Sequence, residues 1–128
     1  MATILIVEDE TSLNEAYDII LKKRGHNTIS VFNGSEALGA IQNKMPDLVL
    51  LDLRMPRMDG LEFLQELEPA KKYPKLRIII FSNYDVQKDI DKAFELGATR
   101  YMLKAWASPS ELVRIVDDTL KNKTTKVK

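Results

Sequence analysis

Five short apolar runs alternate with segments of helical spacing, and this alternation constrains the fold more than any other feature of the chain. Most of the runs are rich in branched residues and nearly continuous, which is typical of strands covered on both faces. Such an alternation predicts a parallel sheet with helices on both sides and right-handed crossovers. The runs cover residues 4–7, 28–32, 48–51, 77–81 and 100–103.

The segments between the runs carry helix signals. Apolar residues recur at helical spacing in the first segment (Leu13, Ala16, Tyr17, Ile20), the fourth (Val86, Ile90, Ala93, Phe94) and the fifth (Leu112, Ile115, Val116, Leu120). Three predicted helix starts pair a capping residue with an acid three positions later, namely Ser108 with Glu111, Asp59 with Glu62, and Asn33 with Glu36. Gly25 and Gly97 stand where helix ends favour a left-handed residue.

Length and tail composition indicate the domain organisation. The 128 residues suit one domain with a real core, and we expect it to cover residues 1–122 and to act as a stand-alone module. Residues 123–128 are polar and basic, and we expect a disordered tail or the beginning of a linker there.

Composition excludes several classes of function. Nineteen Lys and Arg balance nineteen Asp and Glu, so we expect no direct contact with nucleic acid and no attachment to a membrane surface. Without cysteine and with one histidine, thiolate chemistry is excluded and oxygen ligands remain for a metal. No apolar run is long enough to span a membrane and no secretion signal is present, which together favour a cytoplasmic protein.

Polar residues follow the predicted strands at the point where each strand ends. They are Glu8 and Asp9, Asp52, Ser82 with Asn83, and Lys104. Since the carboxyl ends of parallel strands share one edge of the sheet, these side chains should meet in one crevice. A single acid at a strand end is more often a cap or a solvated loop residue, but the convergence of all of them favours a site.

Three neighbouring carboxylates need a cation, and Mg²⁺ is the natural one where only oxygen ligands are available. Asp52 is the isolated acid on the central strand, whereas Glu8 and Asp9 are paired. Asp52 is therefore the candidate nucleophile toward phosphorus. The Ser82 hydroxyl and the Lys104 ammonium would then offer a donor and a positive charge to the phosphoryl oxygens.

This pattern resembles the receiver domain of two-component response regulators over about residues 3–120, most specifically in the segment DLRMPRMDG that begins at Asp52. The resemblance implies a flavodoxin-like (βα)5 three-layer sandwich with strand order 2-1-3-4-5. It implies phosphorylation of Asp52 by a histidine kinase or a histidine phosphotransfer protein. It also implies Mg²⁺ held by Asp9, Asp52 and the backbone carbonyl of Arg54, with Glu8 in the outer shell.

The resemblance implies a conformational switch as well. Phosphorylation would draw the Ser82 hydroxyl toward the phosphoryl group and let Tyr101 turn inward. By its residue type alone, Tyr101 is equally a plain core residue. This switch would alter a surface formed by the fourth predicted helix, the fifth strand and the fifth helix. An unidentified downstream protein would bind this surface, and the domain could form a homodimer through it. The domain would catalyse its own phosphorylation and dephosphorylation without being an enzyme for an outside substrate.

Departures from the family pattern leave points open. Ala105 replaces the proline that usually follows the lysine and whose bond is commonly cis. The Lys104–Ala105 bond is therefore either held cis at a cost of about 3 kcal/mol, or trans with Lys104 displaced. Asn83 replaces a smaller residue and either narrows access or bonds the phosphoryl group. Arg54 and Tyr84 flank the site and are expected to affect the lifetime of the acyl phosphate.

Three other features have simpler interpretations. We expect His26 to be exposed at the end of the sheet opposite the site. We expect Trp106 to pack beneath the start of the last helix, with a partner-facing role as the alternative. Met55, Pro56 and Met58 are interpreted as a packed turn.

Other functions are weighed against the phospho-acceptor. In a pseudo-receiver, Ala105 and Asn83 would prevent productive phosphorylation, and the domain would be a constitutive protein-binding module. A phosphatase or phosphotransferase could use Asp9 as its nucleophile. Such an enzyme would need a second aspartate two positions later, where this chain has Thr11. A flavin-binding module is disfavoured because the acidic loop after the first strand would repel a phosphate.

Overall fold

A computed structural model describes residues 2–83 and 86–121. The strands are β1 (Thr3–Val7), β2 (Asn27–Val31), β3 (Leu48–Asp52), β4 (Arg77–Ser82) and β5 (Arg100–Leu103). The helices are α1 (Thr11–Lys23), α2 (Gly34–Asn43), α3 (Gly60–Leu67), a one-turn α4 (Pro69–Lys72), α5 (Gln87–Leu96) and α6 (Pro109–Lys121), and a 3-10 helix covers Lys104–Trp106. The alternation predicted from sequence is confirmed, with α4 as an addition. Tyr84 and the predicted tail at 123–128 lie outside the described residues.

The five strands form one parallel sheet in the order β2-β1-β3-β4-β5, so the predicted flavodoxin-like topology is confirmed. The strand order reverses between β1 and β3, which pair with Val7 opposite Leu51. Glu8 and Asp52 each follow one of these two residues, so they share the same end of the sheet. Ser82 pairs with Leu103 in β5, which places Lys104 at that end too.

Alternate residues of the strands enter two separate cores, one on each face of the sheet. Leu5, Val49 and Ile78 belong to the core beneath α2, α3 and α5, whereas Ile4, Leu48 and Ile79 belong to the core beneath α1 and α6. Every residue of β3 is buried, as expected for a central strand covered on both faces. The sheet is therefore a rigid platform for the residues at its carboxyl edge.

The predicted capping residues and helix-ending glycines are confirmed, whereas Val86, predicted on the apolar face of the fourth helix, precedes α5 and is 39% exposed. Asp59 and Glu62 form a reciprocal capping box at the start of α3, and Asn33 accepts the backbone N–H of Glu36. Ser108 Oγ accepts the N–H of Glu111 at 3.3 Å. Gly25 and Gly97 have φ angles of +101° and +124°. Within the described part of the chain, no helix combines the length and the apolar character that crossing a membrane requires.

The buried face of α1 differs from the predicted one. Asn14, Tyr17 and Leu21 are the buried residues of this helix, whereas Ala16 is exposed. The helix is rotated relative to the purely apolar stripe because Asn14 finds backbone partners in the interior, which removes the cost of burying its amide.

Two expectations for aromatic side chains are wrong. His26 lies at the predicted end of the sheet, but its side chain is only 8% exposed, because Nδ1 accepts the N–H of Ala2 and the ring packs beside Asp117 of α6. Trp106 does not pack beneath α6 and is 70% exposed. Ala107 and Leu112 fill the core at this point, so the 3-10 helix leaves the indole in solvent.

In the turn before α3, the two methionines are packed as predicted. Met55 and Met58 pack against the core beneath α2, α3 and α5, and the Met58 carbonyl accepts the N–H of Gly34. Pro56 is exposed. This turn therefore anchors the segment that follows Asp52.

Candidate functional site

The carboxyl edge of the sheet brings together the residues predicted to form the site. Asp52 ends β3 and is 4% exposed, Glu8 follows β1 and is 2% exposed, and Ser82 ends β4 and is 2% exposed. Asp9 lies beside them and is exposed. Buried acids at the edge of an apolar sheet require partners in the fold.

Lys104 is the cationic partner of two of these acids. Its Nζ lies 2.5 Å from Oε1 of Glu8 and 3.0 Å from Oδ2 of Asp52, and its side chain is 8% exposed. The Lys104–Ala105 bond is trans. The predicted cis bond is therefore wrong. The alternative is right that the bond is trans and wrong that Lys104 is displaced, because the lysine still reaches Glu8 and Asp52. The 3-10 turn that begins at Lys104 accommodates this path.

Burial and charge oppose each other in the cluster of Glu8, Asp52 and Lys104. Burial raises the pKa of Asp52 above its ordinary value, and the Lys104 ammonium offsets only part of that effect. Burial raises the pKa of Glu8 in the same way. Burial alone would lower the pKa of Lys104, but its contacts with Glu8 and Asp52 raise that pKa overall. The single ammonium of Lys104 therefore does not neutralise the charge of the two buried carboxylates.

The donor set suits a hard divalent cation. Carboxylate oxygens of Glu8, Asp9 and Asp52 all lie within 4.8 Å of one another, and such oxygens are the ligands that Mg²⁺ takes in proteins. Glu8 is already engaged, because Oε2 accepts the N–H of Glu10 at 3.0 Å and Oε1 faces Lys104. Asp9 and Asp52 are therefore the better candidates for direct ligands.

The loop after Asp52 holds the Asp52 side chain in place. Its Oδ1 accepts the N–H of Arg54 at 3.2 Å, and the Gly60 N–H donates to the Leu53 carbonyl at 3.0 Å. A Cβ at Gly60 would lie 2.6 Å from the Asp52 carbonyl oxygen and 2.7 Å from Leu53 Cα. The glycine of the DLRMPRMDG segment is therefore required by the close approach of α3 to β3.

The flanking residues occupy different positions around the cluster. The Arg54 guanidinium lies 3.4 Å from the Asp89 carboxylate in the first turn of α5. Asn83 and Ala105 are exposed at the rim of the site. Tyr101 is half-buried and packs against the core beneath α2, α3 and α5. Tyr84 cannot be placed, since it lies outside the described residues.

Two residues that support the site were not identified from sequence. The buried Asn14 amide donates to the carbonyls of Glu8 at 3.0 Å and Val31 at 2.9 Å, so it joins the ends of β1 and β2. Tyr17 packs edge-on against Phe81, with ring centroids 5.7 Å apart, and burial raises the pKa of its hydroxyl. The sequence does contain one indication of this arrangement, because Asn14 lies three positions before Tyr17 and therefore on the same face of the helix.

The fold and the acid–lysine cluster define a flavodoxin-like domain with a charged site at the switch point of the sheet. Residues 4–117 match the family model described as the response regulator receiver domain, and the chain belongs to this family. Receiver domains are signalling modules of two-component systems rather than classical enzymes, and their partners are kinases or phosphotransfer proteins.

Similar proteins include one of the same size and others that are longer. The chain is 35% identical over 101 residues to sporulation initiation phosphotransferase F of Bacillus subtilis. The aligned region covers 79% of this chain and 80% of that protein. It is 36% identical over 110 residues to the DNA-binding response regulator MtrA of Mycolicibacterium smegmatis, and this aligned region covers 86% of this chain. The chain spans 46% of the length of MtrA.

One solved structure has the same fold as this chain along nearly the whole length of both. The receiver domain protein (CheY-like) from Methanospirillum hungatei is 25% identical, with a TM-score of 0.88 over 96% of both chains. NtrX from Brucella abortus, 30% identical with a TM-score of 0.85, matches 95% of this chain and 27% of its own. The same fold is therefore found in a solved chain of similar length and within a longer one.

Proposed function

We propose that the domain receives a phosphoryl group on Asp52 from the phosphohistidine of a histidine kinase or histidine phosphotransfer protein. The observation that carries this proposal is the contact of Lys104 Nζ with both Asp52 and Glu8, at 3.0 and 2.5 Å. A buried acid beside a cation and further oxygen ligands suits nucleophilic attack on phosphorus.

In the proposed step, an oxygen of Asp52 forms a bond to phosphorus while the bond between phosphorus and the donor imidazole breaks. The electron pair of that bond stays with the imidazole nitrogen. Lys104 offsets charge on the phosphoryl oxygens, and Ser82 donates its hydroxyl to one of them. Asp9, Asp52 and the Arg54 carbonyl would hold Mg²⁺, with Glu8 in the outer shell, and Mg²⁺ would neutralise charge developing on the transferred group.

The proposed output is a change on the face formed by α5, β5 and α6. Ser82 ends β4, and Tyr101 lies on the adjacent β5. Drawing the Ser82 hydroxyl toward the phosphoryl group would open space for Tyr101 to turn inward. A downstream protein, or a second copy of this chain, would then bind the altered face. The absence of cysteine fits the further proposal that this takes place in the cytoplasm.

The geometry favours the phospho-acceptor over the pseudo-receiver. The pseudo-receiver hypothesis relied in part on Ala105 displacing the lysine, and Lys104 instead reaches Asp52. Asp9 as a phosphatase nucleophile is disfavoured because the exposed Asp9 lacks the contact with Lys104 that Asp52 has.

The test is modification of the purified protein by acetyl phosphate, with and without Mg²⁺, followed by intact-mass measurement. Beryllofluoride binding, monitored by NMR, serves as a second probe that needs no covalent transfer. We expect both to depend on Mg²⁺ and to vanish in Asp52→Asn. The folded wild-type protein showing no Mg²⁺-dependent change at Asp52 would favour the pseudo-receiver instead.

A further inference from the structure

The segment 31–34, which ends β2 and begins α2, is bonded to both loops that carry the proposed Mg²⁺ ligands. Asn14 links it to the loop after β1, because the buried amide donates to the carbonyls of Glu8 at 3.0 Å and Val31 at 2.9 Å. The Val31 carbonyl also accepts the Glu8 N–H at 3.2 Å. The backbone of Glu8 is therefore held through both its N–H and its carbonyl, directly before Asp9.

The other end of this segment holds the loop after β3. The Gly34 N–H donates to the Met58 carbonyl at 2.9 Å. A Cβ at Gly34 would lie 2.6 Å from that carbonyl oxygen and 2.8 Å from Met58 Cγ, so this close approach requires a glycine. Met58 lies in the loop 53–59, which also contains the backbone carbonyl of Arg54, one of the proposed metal ligands.

Short hydrogen bonds make the segment itself rigid. Asn33 is 5% exposed and accepts the Glu36 N–H at 2.9 Å. Glu36 Oε1 in turn accepts the Phe32 N–H at 2.7 Å. These bonds fix the segment on the first turn of α2, so it joins the two loops at a set distance.

We propose that Asn14 and Gly34 are positioning residues for the Mg²⁺ site. They fix the spacing between Asp9 and the loop after Asp52, and thereby the affinity for the ion. This inference rests on the proposed function and deepens it, since it concerns the same site. Mg²⁺ requires a near-ideal arrangement of its oxygen ligands, and loss of a residue that orients ligands lowers metal affinity by about 10- to 100-fold.

Titration of the protein with MgCl₂, followed by the amide NMR shifts of residues 8–10 and 52–54, tests the proposal without a phosphodonor. Asn14→Leu keeps the branched shape of the side chain and removes both N–H donors. We expect it to raise the Mg²⁺ dissociation constant about tenfold. Thr119→Val is the matched control, because it removes a buried hydrogen bond to the Ile115 carbonyl within α6 and should leave the constant unchanged.

A second pair of variants tests the other end of the segment. Gly34→Ala should weaken Mg²⁺ binding as well, since the new Cβ displaces Met58 and its loop. Gly39→Ala lies in the same helix, where a new Cβ has no heavy atom within 4 Å, and it should bind Mg²⁺ like wild type.

Kinetics separate positioning of the ion from damage to the acceptor. With acetyl phosphate, the Mg²⁺ concentration that gives half the maximal rate should rise about tenfold in Asn14→Leu. The rate at saturating Mg²⁺ should equal that of wild type, because the ion then occupies the site despite the weaker affinity. Thermal unfolding of each variant verifies that it remains folded.

The outcomes distinguish this inference from the proposed function. Unchanged Mg²⁺ affinity in Asn14→Leu, with a wild type that binds the ion, would overturn this inference alone. An equal loss of affinity in Thr119→Val would also overturn it, because the effect would then follow general stability. A wild type that binds no Mg²⁺ at Asp52 would overturn both. If Asn14→Leu does not fold, the comparison of Gly34→Ala with Gly39→Ala decides.

Discussion

Lys104 Nζ lies 3.0 Å from Oδ2 of Asp52, with the two side chains 8% and 5% exposed. Removing one partner from a buried ion pair costs more than the pair contributes, since the other charge remains without compensation. Here the same ammonium also serves Glu8. Loss of the lysine would therefore leave two buried carboxylates facing each other.

We predict that Lys104→Met lowers the free energy of unfolding by about 3 kcal/mol in the absence of Mg²⁺. Urea denaturation measures this change. Mg²⁺ should restore part of the stability, since the cation replaces the lost charge. Lys88→Met, at an exposed position of α5, is the control and should change stability little. Equal effects of the two substitutions would contradict a special role for the buried pair.

Asp52→Asn should stabilise the metal-free protein at neutral pH, because the amide replaces a carboxylate whose charged form burial disfavours. Burial raises the pKa of Asp52, so the folded state binds this proton more tightly than the unfolded state does. That stabilisation is complete below the ordinary aspartate pKa and is lost as pH rises through the raised one. The advantage of Asp52→Asn should therefore shrink as pH falls. A constant difference in urea titrations between neutral and acidic pH would contradict this account.

Arg54→Ala should shorten the lifetime of phosphorylated Asp52 about threefold, equivalent to about 0.6 kcal/mol in the barrier. We expect Arg54, whose guanidinium lies 3.4 Å from Asp89, to limit the access of water to the acyl phosphate proposed at Asp52. Asp89→Asn should act in the same direction, and the double variant should add little. Decay of the phosphorylated protein measures the lifetime. Additive effects, or an unchanged lifetime, would remove this ion pair from the mechanism. Tyr84 is to be tested in the same way.

Trp106→Ala should lower kcat/KM for transfer from a phosphohistidine protein about tenfold, because an indole that is 70% exposed next to Ala105 suits a protein contact. The rate with acetyl phosphate should not change, since this small donor needs no docking surface. Ile19→Ala is the control, as Ile19 is 56% exposed on α1. A similar loss with both donors would show that Trp106 acts on the site itself.

Gly60→Ala should destabilise the protein by about 2 kcal/mol, because the new Cβ would meet backbone atoms of Asp52 and Leu53. Gly39→Ala is the matched control within α2, where a Cβ would have no heavy atom within 4 Å, and it should be stabilising by up to about 1 kcal/mol. Thermal unfolding measures both. A tolerated Gly60→Ala would mean that α3 can move away from β3 at little cost.

Much of the architecture could be predicted because it depends on local signals. Continuous apolar runs indicate a doubly covered sheet, and the caps at Asn33, Asp59 and Ser108 mark helix starts through short-range hydrogen bonds. The meeting of Glu8, Asp52 and Lys104 follows from one rule, that parallel strands end at a common edge. These parts need no knowledge of how side chains pack.

The parts that could not be predicted depend on packing between distant elements. Trp106 was expected in the core, but Ala107 and Leu112 fill that position. The burial of His26 arises from contacts with Ala2 and Asp117, which lie far from it in sequence. The approach of Lys104 to Asp52 depends on the 3-10 turn at 104–106, whose direction the residue types alone do not determine.

The position of β5 at the edge of the sheet has a consequence for local unfolding. All four of its residues are only half-buried. Lys104, which directly follows β5, contacts Glu8 after β1 and Asp52 at the end of β3. Opening of this edge must separate those charges, so the protection of its amides from hydrogen exchange should follow the charge of the site. A change of charge at Asp52 would therefore change how often β5 opens at the edge of the sheet.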